Sequence, residues 1–143
     1  MIEVIRAQET YQQAGAYYVR IHAMMKKYGF GLRTEFDEND TPDTKYIVIT
    51  DNDFPVATCR ILENDGVTAA IGRVVVLEEY RNRGLGSKAV TEAECWLREM
   101  GFSSVYVNSR TVAVGFYEKL GYKVVTGDII NGTFDCVKME KDL

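Results

Sequence analysis

The chain is short of the residues that much enzyme chemistry relies on. Histidine occurs once and cysteine three times in 143 residues. Cys59, Cys95 and Cys136 are odd in number and far apart, with no C-x-x-C spacing and no histidine beside them. That argues against a disulfide framework and a zinc site, so no metal is expected, and it disfavours a covalent thiol relay. The three read as reduced thiols in a reducing compartment. His22 falls off the apolar stripe of its segment and reads as a surface residue. Long apolar runs are missing, so no segment can span a bilayer, and Met1 to Lys27 lacks the basic start and apolar run of a signal peptide. The expected location is the cytoplasm, with no membrane partner. Excess positive charge is missing too. A net charge of −4 argues against a nucleic-acid partner and leaves only a local basic patch around Arg81, Arg83 and Lys88. Internal repeats, low-complexity segments and linkers are absent, so residues 1–143 read as a single domain able to bury a core.

What is present concentrates between Gly72 and Val90. Val74, Val75 and Val76 belong to a β-branched run that reads as a strand, and Glu78 to Arg83 is a polar turn. Gly84 and Gly86 let the backbone curl closely, and Ser87 to Met100 has helical spacing. Strand, glycine turn and helix start form an anion site, because the first turn of a helix leaves N–H groups unpaired. Arg81 and Arg83 add positive charge, which suits a pyrophosphate. The P-loop pattern G-x-x-x-x-G-K-[ST] does not occur. Gly84-x-Gly86-x-x-Ala89 fits the dinucleotide pattern, but a charged turn separates strand from glycine and no acid stands near Ser104. That reading fails on context.

A third pattern fits better. Arg81-Asn82-Arg83-Gly84-Leu85-Gly86 resembles the R/Q-x-x-G-x-G/A acyl-CoA loop of the GCN5-related N-acetyltransferases (GNAT). Downstream, Ala113-Val114-Gly115-Phe116-Tyr117-Glu118-Lys119-Leu120-Gly121-Tyr122 is similar to that family's A-x-x-F-Y-x-x-x-G-F/Y helix. The two motifs come in the family's order, joined by a helix and a strand; the bland alternative is an ordinary βα turn followed by an unrelated amphipathic helix. Arg20, Glu35-Phe36-Asp37-Glu38-Asn39-Asp40, Cys59-Arg60-Ile61-Leu62 and Gly72-Arg73-Val74-Val75-Val76 further resemble the ElaA/YjcF-like branch.

The remaining periodicity predicts the order β-α-β-β-β-α-β-α-β-β, an α+β fold with a mixed, mostly antiparallel sheet flanked by helices. Ile2 to Arg6 opens it, and Thr10-x-x-Gln13 reads as a capping box. Ala14, Tyr17, Tyr18, Ile21, Met24, Met25 and Tyr28 form a packing stripe that Gly29 ends. Phe30 to Thr44, where the family carries a second helix, reads as a loop. Tyr122 to Thr126 and Thr133 to Met139 read as a hairpin around Asn131-Gly132.

The resemblance implies acetyl-CoA as co-substrate and direct transfer of acetyl to a small-molecule amine. It implies that Val74, Val75 and Val76 serve through their backbone, holding the thioester carbonyl and pairing with pantetheine. Arg81, Asn82, Arg83, Gly84, Leu85, Gly86 and Ser87 would cradle the pyrophosphate. Asn108 or Arg110 would contact the cofactor, since Arg110 stands where the family has asparagine. Tyr117 would protonate the departing thiolate, as a phenol that stays protonated at neutral pH can. The family's glutamate base falls at Ala70, so no base is identified. That gap sustains a second reading, a CoA-binding sensor with little catalysis. A homodimer is left open. Glu35, Asp37, Glu38, Asp40 and Asp43 read either as a solvated loop or as an acidic rim that recruits a cationic amine.

Overall fold

The computed structural model describes residues 1–143. Seven strands form one sheet: β1 (Ile2–Ala7), β2 (Lys45–Asp51), β3 (Phe54–Leu62), β4 (Thr68–Val76), β5 (Ser104–Arg110), β6 (Lys123–Val124) and β7 (Cys136–Asp142). Their spatial order is β1-β2-β3-β4-β5-β7-β6, and every pairing is antiparallel except β4 with β5. The α+β expectation holds. Asn52 and Asp53 have φ of 49° and 70° at the β2–β3 turn, the positive values that a tight two-residue hairpin demands.

Helix α1 (Thr10–Arg20) runs through a π segment, Ile21–Met25, into the short α2 (Lys26–Tyr28), and Gly29 ends it at φ 79°. A single turn, α3 (Leu32–Glu35), interrupts the segment expected to be a loop. Helices α4 (Leu85–Glu99) and α5 (Val114–Lys119) complete the set. None is long and apolar enough to cross a membrane.

The capping box lies one residue earlier than expected. Glu9 is the N-cap and Gln12 closes the box, while Gln13 is buried and donates to the carbonyls of Pro42 and Thr44. The packing stripe of α1 also differs. Ala16, Val19 and Ala23 are buried, Ala14 is exposed, and the tyrosines and methionines flank the contact. Small residues win the centre because they let the helix approach closely: a Cβ on Gly15 would lie 3.3 Å from both Val48 and Pro55 side chains. The last hairpin is shorter than expected. Only Lys123–Val124 pairs with Met139–Glu140, plus a bridge from Ile130 to Cys136, and the rest is loop.

The sheet has two covered faces. Helix α1 lies over Val48 and Pro55, whereas Cys59 reaches the Ala89 carbonyl of α4 on the other side. The main core lies under α4, gathering Ile47, Ile49, Ile61, Ile71, Val90, Leu97, Val105 and Val107. Strand alternation then tells which face each site residue addresses.

Candidate active site

β4 and β5 pair only at Thr68–Ser104, Ala69–Val105 and Ala70–Tyr106, and beyond these they part. A cavity of about 950 Å³ fills the gap. β4 also carries a bulge on its other edge. Arg60 pairs with Gly72 but Thr58 pairs with Val75, so β4 holds one extra residue opposite Cys59. Arg73 sits there at φ 51°, a left-handed conformation that costs of order 1 kcal/mol or more for a side chain of this kind. Leu77 N–H donates to the Val56 carbonyl at 2.9 Å. Antiparallel alternation then gives the backbone groups of Val75 to β3 and turns those of Val74 and Val76 toward the gap. The expectation that Val75 pairs with pantetheine therefore fails for its backbone. Arg81 Nε points at the Val76 carbonyl from 3.4 Å, on the gap side.

The loop after β4 leads through a tight curl into an uncapped helix start. Asn82 and Gly84 take positive φ, 64° and 74°, which curls the chain into α4. No side chain caps that helix, so its first N–H groups remain free. Arg81, Asn82, Gly84, Leu85, Gly86 and Ser87 all line the cavity. Arg83 does not. Its guanidinium lies 4.7 Å from the Tyr80 ring centre and donates to the Glu79 carbonyl, which corrects its place in the cradle. A Cβ on Gly86 would meet the Phe116 ring at 3.4 Å, so α5 packs against this turn.

Tyr117 is buried and lines the cavity beside Val76 and Phe116. Its ring packs edge-on against Phe116 and Tyr122. Burial pushes the phenol well above its usual range, so the proton stays on oxygen. Asn108 is exposed and lines the cavity from β5. Arg110 Nη1 donates to the Tyr28 hydroxyl at 3.2 Å, and its guanidinium lies 4.0 Å from the centre of the Phe134 ring.

The acidic stretch is neither a solvated loop nor a rim. Glu35 and Asp40 are buried beneath arginines that sequence spacing did not link to them. Arg20, fully buried, donates from Nε to Glu35 at 2.8 Å and from Nη1 to Asp40 at 2.7 Å. Arg60 reaches Asp37 at 2.9 Å and Asp40 at 3.1 Å, and Arg73 reaches Glu35 and Asp37 at 3.4 Å. Tyr46 adds a hydroxyl donated to Asp40 at 2.7 Å. Burial alone would raise the Asp40 carboxyl, but hydrogen bonds from Arg20 and Tyr46 outweigh it and hold it far below the ordinary carboxylate range. Only Glu38 and Asp43 of the run stay exposed. Three positive and three negative groups thus staple α1 and the α3 segment to the β4 bulge.

The profile of the Acetyltransferase (GNAT) family matches residues 7–122. The chain belongs to the GNAT family of N-acetyltransferases. A Lactobacillus plantarum protein crystallised as a proposed N-acetyltransferase is 30% identical, with a TM-score of 0.92 over 99% of this chain and 98% of that one. Escherichia coli ElaA shares the fold at 23% identity and a TM-score of 0.82, over 99% of each chain. A GNAT structure from Elizabethkingia anophelis, solved with acetyl-CoA bound, shares it at 13% identity and a TM-score of 0.71, over 99% of this chain and 98% of its own.

Most residues expected to cradle CoA line the cavity, and three further features lie there. Tyr28, Phe30 and Phe134 cluster at the cavity wall, with ring centres 5.0 to 6.5 Å apart. Arg73 lines the cavity, and so does Glu35, the sole carboxylate there. The sequence reading took Tyr28 as part of the packing stripe and Phe30 as the start of a loop. No group of three or more histidine, cysteine, aspartate or glutamate side chains is placed to hold a metal.

Proposed function

We propose that the domain, residues 1–143, moves acetyl from acetyl-CoA directly to a primary amine in a ternary complex, with Tyr117 protonating the CoA thiolate. The observation that carries this reading is the gap between β4 and β5, which joins an uncapped helix start, two backbone edges and a protonated phenol in one cavity. The first N–H groups of α4, with Arg81, would hold the pyrophosphate. Val74 or Val76 N–H would hold the thioester carbonyl and stabilise the oxyanion that forms on attack. Asn108 would contact the pantetheine arm. Tyr117 would then give its proton as the C–S bond breaks. The amine's own proton would leave through water, since Glu35 is engaged by Arg20. The free thiols Cys59, Cys95 and Cys136 suit the reducing cytoplasm.

Tyr117→Phe keeps the ring and deletes the proton donor. Turnover should fall by roughly 10²-fold or more while CoA affinity, measured by calorimetry, changes little. Wild-type turnover in the variant would return Tyr117 to packing. The missing carboxylate at Ala70 favours one other reading, a CoA-binding sensor. Absence of turnover by the wild type across a broad amine screen, with CoA still bound, would select it.

A further inference from the structure

We infer that the acceptor is a primary amine that also carries a carboxylate, held by Arg110 with its apolar body against Tyr28, Phe30 and Phe134. The inference rests on the acetyl-transfer reading above and names its substrate class. The charges on the cavity wall decide the sign. Lys27, Arg73, Arg81, Arg110 and Lys119 face it, against Glu35 alone. Glu35 is engaged by Arg20, and Arg73 is balanced by Glu35 and Asp37. Arg110 forms no ion pair. Tyr28 and Phe134 fix its guanidinium from two sides and leave the Nε and Nη2 groups without a protein acceptor. A planar fork held this way matches the two oxygens of a carboxylate.

The side of the sheet separates this arginine from the donor cradle. Along β5, Arg110 alternates with the buried Ser109 and Val107, and it reaches Tyr28 at the end of α2, on the face that α1 covers. The cradle opens at the start of α4, the helix on the other face. The hydrogen bond from Arg110, with the charges of Lys27 and Arg81, also lowers the Tyr28 phenol below its usual range. The same field repels a dication and attracts a carboxylate. In the reaction the amine nitrogen bonds to the acetyl carbon and the C–S bond breaks. The amine's proton goes to water, and the thiolate takes one from Tyr117.

Matched pairs test the assignment: phenylalanine against phenethylamine, and leucine against isopentylamine. The carboxylate member should have a kcat/KM at least tenfold higher, and Arg110→Ala should bring the ratio near one by raising its KM. Arg110→Lys should recover part of the preference. Equal or better use of the decarboxylated amines would overturn the inference, as would a tenfold loss of CoA affinity in Arg110→Ala. Should no amine in either pair be acetylated, calorimetry of N-acetylphenylalanine on the CoA-loaded protein decides. Binding that disappears in Arg110→Ala supports the assignment, and no binding overturns it. CoA affinity of the wild type, measured alone, reports separately on the donor half of the reaction.

Discussion

Two sets of arginines, one packed around the β4 bulge and one on the cavity wall, live differently. Arg20, Arg60 and Arg73 are matched by Glu35, Asp37 and Asp40, and the cluster carries no net charge. Arg81 and Arg110 face the cavity with no carboxylate beside them, in a chain whose net charge is −4. Acid was available nearby and was spent on the first set. A buried charge without a partner is expensive, so matched pairs can be structural. Cations left unmatched on an open wall are free to meet an anionic guest, and CoA brings several such groups. Charge pairing thus divides this region into scaffold and site.

The sharpest way to break that contrast is to unpair the scaffold. Arg20→Met leaves Glu35 and Asp40 buried without their main donor, and stability should fall by about 3–5 kcal/mol in denaturant titration. A loss under 1 kcal/mol would mean that the cluster relaxes into water and does not staple the bulge.

Pairing the site instead should act on binding alone. Ser87→Asp places a carboxylate on the first turn of α4, where the helix end favours it, so thermal stability should hold or rise slightly. The same charge would occupy the pyrophosphate's place, and CoA affinity should drop at least tenfold, about 1.4 kcal/mol. Unchanged CoA affinity would move the pyrophosphate off this helix.

The smallest effect is a matter of pH. The carboxyls of Asp40 and Asp37 are both held below their unfolded value, so the stability they add is present above about pH 4 and is lost as pH falls through the folded values. Asp40→Asn should be less stable than the wild type at neutral pH, with the difference shrinking below about pH 4. A constant difference across that range would remove Asp40 from the acid response.

Most of the sheet and the loop proposed to cradle CoA were legible because their signals are local. The valine run, the positive-φ turn at Asn82 and Gly84, and the helix after it lie within about twenty consecutive residues. The role of the acidic stretch was not. Asp37 and Asp40 read as solvent-facing because their partners lie at Arg20, Arg60 and Arg73, brought together only by the sheet and α1. The same distance hid the aromatic wall, since Phe134 joins Tyr28 across more than a hundred residues of chain. Arg83 shows the converse error. It stands inside the motif, but a neighbouring tyrosine ring captures its side chain and it does not line the cavity.

The π segment between Arg20 and Lys26 gives the first helix two phases on one rod. Ahead of it, Arg20 turns inward to the buried pairs; Met24 within it and Tyr28 beyond it turn toward the cavity. A wider turn delays the rotation that an α-helix would complete, by about 100° for each residue inserted. Rewinding Ile21–Met25 as regular α-helix at unchanged length would swing Tyr28 away from Phe134 by about 100°, with every side chain of the wall still present in the sequence. The winding of that segment, more than its composition, aims the aromatic wall.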